Sequence, residues 1–213
     1  MSIRLRITRS CWNWNNGDAM IAAIILAAGL SQRMGQPKML LPWGNTTVIG
    51  QVVDTVIAGG IKKIVVVSGG NQAQIESSLQ GMQVEFVFNP NFADGEMLKS
   101  LQVGLKSLDP SIEAALMVLG DQPQMQAATL RLVCDTFRRT QARLVIPSYQ
   151  VRRGHPWLIE RSLWPDILKL CTPATLRDFL YAFEGSICYQ VVDTPTILKD
   201  LDTPEDYGRE KPA

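Results

Sequence analysis

An α/β fold with a mostly parallel central sheet and helices on both faces is the class this chain predicts. Three observations carry it. Short apolar runs, several of them β-branched, recur along the 213 residues, as strands buried on both faces require. Segments with helical spacing of apolar side chains separate them and are long enough for right-handed crossovers. The first run ends in a glycine-containing loop, and open α/β sheets bind ligands beyond such strand ends.

Taken in order, residues 21–25 (IAAII) form the first strand. Residues 48–58 carry apolar side chains at helical spacing and stop at Gly59-Gly60. Residues 63–67 (KIVVV) are a buried parallel strand, and Ser68-Gly69-Gly70 turns the chain into a helix over 72–79. Residues 84–88 (VEFVF), closed by Asn89-Pro90, are the next strand, followed by a helix over 96–108. Residues 114–119 (AALMVL) give another strand, 127–140 a helix and 143–147 a fifth strand. The later part is less regular. Residues 149–159 form a hairpin or a loop, helices cover 163–170 and 175–183, and 187–192 is a strand.

No repeat, low-complexity tract or linker divides residues 20–213, so one domain is expected there. Residues 1–19 are different, with Arg4, Arg6 and Arg9, then Trp12 and Trp14 among asparagines. Together with the apolar run they mimic a secretory leader. Asp18 interrupts that pattern, and cleavage after the alanines would destroy the glycine loop. The expectation is a disordered extension, with Met20 as an alternative start.

Composition narrows the function classes. Hydrophobic residues make up 46% and charged residues 19%, an ordinary globular balance. A net charge of +1 provides no field for nucleic acid or an anionic membrane. No apolar run approaches the ~20 residues of a membrane span. Cys11, Cys134, Cys171 and Cys188 lie far apart with no CxxC pair, so neither a zinc site nor a disulfide framework is expected. Reduced thiols fit a cytoplasmic protein, and Cys134, in an apolar helical stretch, reads as a core residue.

Residues 26–38 read LAAGLSQRMGQPK. Glycine after a buried strand lets backbone N–H groups converge on an anion without a blocking Cβ. Arg33 and Lys38 bring positive charge to the same place, which suits a nucleotide triphosphate. Spacing excludes two common phosphate loops. Walker A needs four residues between its glycines and Lys-Ser/Thr directly after the second, whereas five separate Gly29 from Gly35 and Lys38 comes three positions later. The dinucleotide fingerprint fails because Ser31 occupies the place of its second glycine.

Other strand ends deliver further polar groups. Gly120-Asp121-Gln122-Pro123 follows AALMVL, and Asp121 there either caps the next helix or serves as a rigidly held Mg²⁺ carboxylate. Residues 200–206 (DLDTPED) contain a helix start, Thr203 followed by Pro204 and acids, and two further carboxylates, Asp200 and Asp202. Asn89 to Leu101 (NPNFADGEMLKSL) places Gly95 and Ser100 where a helix N-terminus could offer donors, with helix packing an equal use for Ser100. Ser68 ends the second strand and could border a base pocket. Arg153-Gly154-His155-Pro156 holds the sole histidine, a residue type with structural as well as catalytic uses.

The run from Leu26 to Pro42 (LAAGLSQRMGQPKMLLP) resembles the loop LAAGxSxRMGxxKxLLP of the molybdenum-cofactor cytidylyltransferases among the MobA-like NTP transferases, and the likeness extends from Met20 to Tyr207. The resemblance implies a Rossmann-like nucleotidyltransferase fold and transfer of CMP from CTP to the terminal phosphate of molybdopterin, with release of pyrophosphate. It implies Lys38 at the α-phosphate, Arg33 at the β and γ phosphates, and Asp121 with Asp202 as Mg²⁺ ligands, Asp200 being the alternative to Asp202. Leu26, Ala27, Ala28, Gly29, Ser31, Gly35, Ser68, Gly95 and Ser100 would surround the nucleotide. The GHP tripeptide and its preceding arginine match the family's acceptor border, which implies Arg153, Gly154 and His155 as acceptor contacts. Two departures stand out. Phe92 replaces the tryptophan of NPxWxxGMxxSL, and Glu96 stands between Gly95 and Met97, either as an extra residue or in the methionine's place with different spacing. Related guanylyltransferases carry LAGG, so Ala28 favours cytidine, a methyl group being worth about 1–3 kcal/mol of discrimination. Alternatives are GTP as donor, a sugar phosphate as acceptor, or a non-catalytic accessory protein of a molybdenum hydroxylase. A transient contact with such a hydroxylase is expected, with no nucleic-acid or membrane partner.

Overall fold

The computed structural model describes residues 20–94 and 96–212, so the expectations for residues 1–19 and for Gly95 lie outside the described residues. In chain order the elements are β1 (Ile21–Ala27), a small hairpin of β2 (Pro42–Trp43) and β3 (Thr46–Thr47), α1 (Val48–Ala58), β4 (Lys63–Ser68), α2 (Gln72–Ser78), β5 (Glu85–Phe88) and α3 (Met97–Ser107). They continue with β6 (Ala114–Leu119), α4 (Ala127–Thr140), β7 (Leu144–Tyr149), β8 (Arg152–Arg153), β9 (Trp157–Glu160), α5 (Trp164–Lys169), α6 (Leu176–Ala182), β10 (Ile187–Val191) and α7 (Pro204–Glu210).

The main sheet runs β10-β7-β9-β6-β1-β4-β5, with β8 paired to the end of β7. Strands β1, β4, β5 and β6 are mutually parallel, and β10 is parallel to β7. Within the sheet path only β9 runs against its neighbours, between β6 and β7. The mostly parallel α/β expectation therefore holds. The ambiguous stretch 149–159 is a hairpin, in which β8 folds back on β7 before β9 enters the sheet.

Alternation along β1 builds two cores. Ala23, Ile25 and Ala27 face the layer of α1, α2 and α4, meeting Ile49, Val53, Leu130 and Phe137. Ala22, Ile24 and Leu26 face α3, α5 and α6, meeting Leu101, Leu105, Trp164 and Phe179. Each fully buried aliphatic side chain contributes about 1.5–3 kcal/mol through the area it removes from water. Close approach of α3 to β1 depends on Gly104, where a Cβ would stand 2.4 Å from the Ile24 side chain. The carboxyl ends of β1, β4, β5, β6 and β7 share one edge of the sheet, and the β7–β8 hairpin projects from that edge.

Candidate active site

The glycine loop leaves β1 and makes two short 3-10 turns, Gln32–Met34 and Lys38–Leu40. Ser31 and Gly35 bracket the first turn in the left-handed region, at φ 53° and 69°. The Ser31 hydroxyl accepts from the Lys38 backbone N–H at 3.1 Å and so sets where Lys38 leaves the loop. A Cβ on Gly29 would meet nothing within 4 Å, so its bare α-carbon faces open cleft. At Gly120 the opposite holds: a Cβ would stand 2.9 Å from the Leu26 carbonyl oxygen, so glycine lets the exit of β6 run beside β1.

A separate apolar cluster ties the loop to the C-terminal segment. Met34, Leu41, Trp43, Val48 and Leu201 are buried together, with Tyr207 packed against them. The Tyr207 hydroxyl donates to the Pro42 carbonyl at 2.6 Å. Leu201 N–H donates to the Asp121 carbonyl at 3.0 Å, which registers Asp200 and Asp202 beside Asp121. The DTPED segment forms the expected helix start: Thr203 and Asp206 make a reciprocal capping box at α7.

Four charged groups converge there. Lys38 Nζ lies 2.5 Å from Asp121 Oδ2 and 3.1 Å from Asp202 Oδ1. Arg33 reaches Asp202 Oδ2 at 2.9 Å. Burial draws the Lys38 pKa down, but the Asp121 and Asp202 carboxylates more than offset it, so the net shift is upward and the ammonium is firmly charged. Asp121 does not cap a helix, since α4 begins six residues later behind Gln126. Asp200 accepts from the buried Gln122 Nε2 at 2.6 Å rather than from a cation. Burial, and then the nearby Asp121 charge, raise its pKa.

These groups border a cavity of about 300 Å³, lined also by Leu26, Ala28, Gly29, Phe92 and Ser100. Ser100 is buried and accepts from Asn89 Nδ2 at 3.0 Å, a structural bond made at the cavity wall. Ala27, Ser31, Gly35 and Ser68 do not line this cavity. Ala27 belongs to the core, Ser31 and Gly35 shape the loop, and Ser68 is fully buried with a hydroxyl that has no hydrogen-bond partner.

A second cavity of about 760 Å³ adjoins the first, the two sharing Glu96 and Met97. Arg153, His155, Trp157, Arg177 and Tyr181 line it. The His155 ring stacks on Trp157 with centroids 5.0 Å apart and planes 12° apart. Its Nε2 is sealed from solvent without a partner, and burial lowers its pKa to about 4, so the imidazole is neutral near pH 7. Gly154 does not line this cavity. It packs where a Cβ would meet the Ile197 carbonyl oxygen at 2.3 Å, and this close approach lets His155 N–H donate to Ile197 at 3.1 Å. The sequence reading missed Glu96 as a site residue, and Arg177 and Tyr181 on α6 as well. The one available signal was the four-residue spacing that puts Arg177 and Tyr181 on the same helix face.

Among the described residues no group of three or more His, Cys, Asp or Glu forms a metal cage. Asp121 and Asp202 nevertheless hold a stand-in cation, the Lys38 ammonium, between their oxygens. Two carboxylates are the set Mg²⁺ ordinarily takes from a protein, its other positions going to waters and phosphates. The donor chemistry fits such an ion.

Residues 23–186 match the family profile of the MobA-like NTP transferase domain. The chain is 28% identical over 193 residues to the molybdenum cofactor cytidylyltransferase of Escherichia coli K12, spanning 88% of this chain and 93% of that one. It is 26% identical over 155 residues to the nicotine blue oxidoreductase of Paenarthrobacter nicotinovorans, spanning 69% and 74%. Among solved structures, Rv0371c of Mycobacterium tuberculosis H37Rv superposes with a TM-score of 0.78 at 27% identity, over 90% of this chain and 97% of that one. Its manganese complex gives 0.73 at 28% identity, over 89% and 97%. With a glycine loop, its lysine and opposed carboxylates at one sheet edge, and a profile match over most of its length, the chain belongs to the MobA-like NTP transferase family and is a nucleotidyltransferase.

Proposed function

We propose that this nucleotidyltransferase transfers CMP from CTP to the terminal phosphate of molybdopterin, releasing pyrophosphate and forming molybdopterin cytosine dinucleotide. The observation that carries the reading is the two-part cleft. A small cavity carries Lys38, Arg33, Asp121 and Asp202, and it opens beside a larger cavity bordered by Arg153 and His155. The likeness to the Escherichia coli cytidylyltransferase supports the acceptor, and Ala28 supports cytidine over guanine. We place the reaction in the cytoplasm, with transient delivery of the product to a molybdenum hydroxylase. No helix of the described residues is long and apolar enough to cross a membrane.

In this reading the acceptor phosphate is already anionic and needs no general base. Its oxygen attacks the α-phosphorus in line, a new O–P bond forms, and the bond to the β-phosphate oxygen breaks to release pyrophosphate. Such chemistry depends on position and charge neutralisation. Lys38 exchanges the two carboxylates for the α-phosphate as the nucleotide enters, meeting the charge that develops there. Arg33, mostly exposed at the cleft mouth, turns from Asp202 to the β and γ phosphates and the leaving pyrophosphate. Asp121 and Asp202 would hold Mg²⁺, which when bound supplies charge neutralisation across the phosphates. The backbone at Ala28 and Gly29 faces the triphosphate, while Ser100 borders the base. Arg153 orients the acceptor, and the neutral His155 ring, stacked on Trp157, borders it.

The test is pyrophosphate release with molybdopterin and each of CTP, GTP and ATP in turn. Turnover with CTP alone is expected. Turnover with GTP but not CTP would overturn the base assignment. Tight nucleotide binding without any turnover would move the reading to the accessory protein.

A further inference from the structure

Glu96 stands where the two cavities meet and lines both. It occupies the N-terminal boundary of α3, yet its side chain makes no capping bond to that helix. Both carboxylate oxygens instead face the Thr172 hydroxyl, at 3.0 and 3.2 Å, so a donor from the connection between α5 and α6 holds the carboxylate in place. No ion-pair partner of Glu96 occurs among the described residues. It also stands where this segment departs from the NPxWxxGMxxSL pattern.

An unneutralised carboxylate is out of place in a cleft built for phosphates, because it repels both substrates. Its position makes sense if one ligand offers it N–H donors. The larger cavity has the matching walls for a flat ring: the His155–Trp157 stack, Tyr181 and the planar guanidinium groups of Arg153 and Arg177.

We propose that Glu96 is the specificity-determining residue for the acceptor, its carboxylate accepting the adjacent N–H and NH₂ donors of a 2-amino-4-oxopyrimidine ring, the edge a pterin presents. This rests on the acceptor reading above and goes further by naming the group that selects the heterocycle. Two parallel N–H···O bonds to one carboxylate are both strong and directional, as in bidentate arginine pairs. Cytosine cannot make them, since its amino group adjoins a ring nitrogen whose lone pair would face the carboxylate. Lumazine cannot make them either, because an oxo group replaces the 2-amino group. The Thr172 hydroxyl, within reach of both oxygens, holds the open edge of the carboxylate until the two donors of the ring take its place.

The experiment is fluorescence titration of the full chain with pterin and, separately, with lumazine, for the native protein and Glu96→Gln. The native protein is expected to bind pterin at least about tenfold more tightly than lumazine, because a site built to accept two donors rejects an analogue lacking one. Glu96→Gln, whose amide has only one acceptor oxygen, should lose that preference while CTP affinity stays within about twofold. Thr172→Val should leave the preference for pterin over lumazine in place, because the ring's two donors replace the hydroxyl. A preference that survives in Glu96→Gln overturns the proposal, as does its absence in the native protein. Loss of CTP or GTP binding in Glu96→Gln, with pterin binding intact, overturns it by assigning the carboxylate to the nucleotide. Pterin preference without molybdopterin turnover sinks the function reading alone. Turnover with equal pterin and lumazine binding sinks the Glu96 assignment alone.

Discussion

The two halves of the cleft solve opposite problems. In the smaller half Lys38 bridges Asp121 and Asp202, Arg33 meets Asp202, and Asp200 takes the Gln122 amide. In the larger half Arg153 and Arg177 have no ion-pair partner among the described residues, and His155 Nε2 has no partner at all. The charges of the first half hold one another in place before any ligand arrives, so a triphosphate meets a site already arranged. The second half carries two exposed guanidinium groups held by no carboxylate among the described residues, which leaves them free to meet a ligand. Substitutions should therefore act on turnover in the first half and on acceptor affinity in the second.

The largest effect is expected at Asp121. Asp121→Ala should lower metal-dependent pyrophosphate release by about 10³-fold or more, while circular dichroism shows a folded protein; an active variant would remove Asp121 from the chemistry. Lys38→Met should cost about 10²–10³-fold in kcat, the range for losing one preorganised charge at a transition state. The double variant Arg153→Ala/Arg177→Ala should raise the acceptor KM about tenfold or more, at roughly 1.4 kcal/mol per factor of ten. Its nucleotide affinity should be unchanged, and a loss of nucleotide binding would break the division between the halves.

Two smaller effects concern pH and stability. The folded pKa of His155, about 4, lies below its unfolded-state reference of 6.5. Its contribution is thus complete above pH 6.5 and is lost as pH falls towards 4, amounting to about 3 kcal/mol at most. Denaturant melts of His155→Gln should show a flatter stability profile across that window than the native protein. Asp200 has the opposite sign, because a raised carboxylate pKa means that ionisation opposes folding at neutral pH. Asp200→Asn keeps an oxygen for Gln122 and should raise stability by up to about 1 kcal/mol near pH 7. A decrease would show that the Asp200 charge is compensated by a group outside the site described.

The strands and helices that carry the nucleotide half were legible because their signals are local. An apolar run followed by a two-glycine, two-cation loop is a strand and an anion cradle whatever surrounds it, and AALMVL before Asp121 is a buried strand on its own. Reading β9 was harder. Trp157-Leu158-Ile159 is short and sits between Pro156 and Glu160, so nothing nearby shows that it enters the centre of the sheet against the direction of its neighbours. Ser68 suits a ligand contact by its place at a strand end, and Gly154 by the resemblance of its RGHP segment to the family. Burial and the Ile197 backbone account for them instead. Arg177 and Tyr181 carry no family motif, and only the packing of α6 beside α5, in the core they share with α3, puts them on the cavity.

By itself, then, the chain order of apolar runs, glycines and charges determined an α/β sheet with a phosphate loop at its carboxyl edge, since each of those features needs only its near neighbours. Tertiary structure alone decided which carboxylates meet Lys38. Asp202 lies 164 residues from it in the chain and is brought across by the burial of Leu201 and the Tyr207–Pro42 bond. It also decided that Glu96, at the N-terminal boundary of α3, borders two cavities at once. Long-range contacts of this kind depend on how the layers pack, and packing is a property of the whole set of buried side chains rather than of any segment.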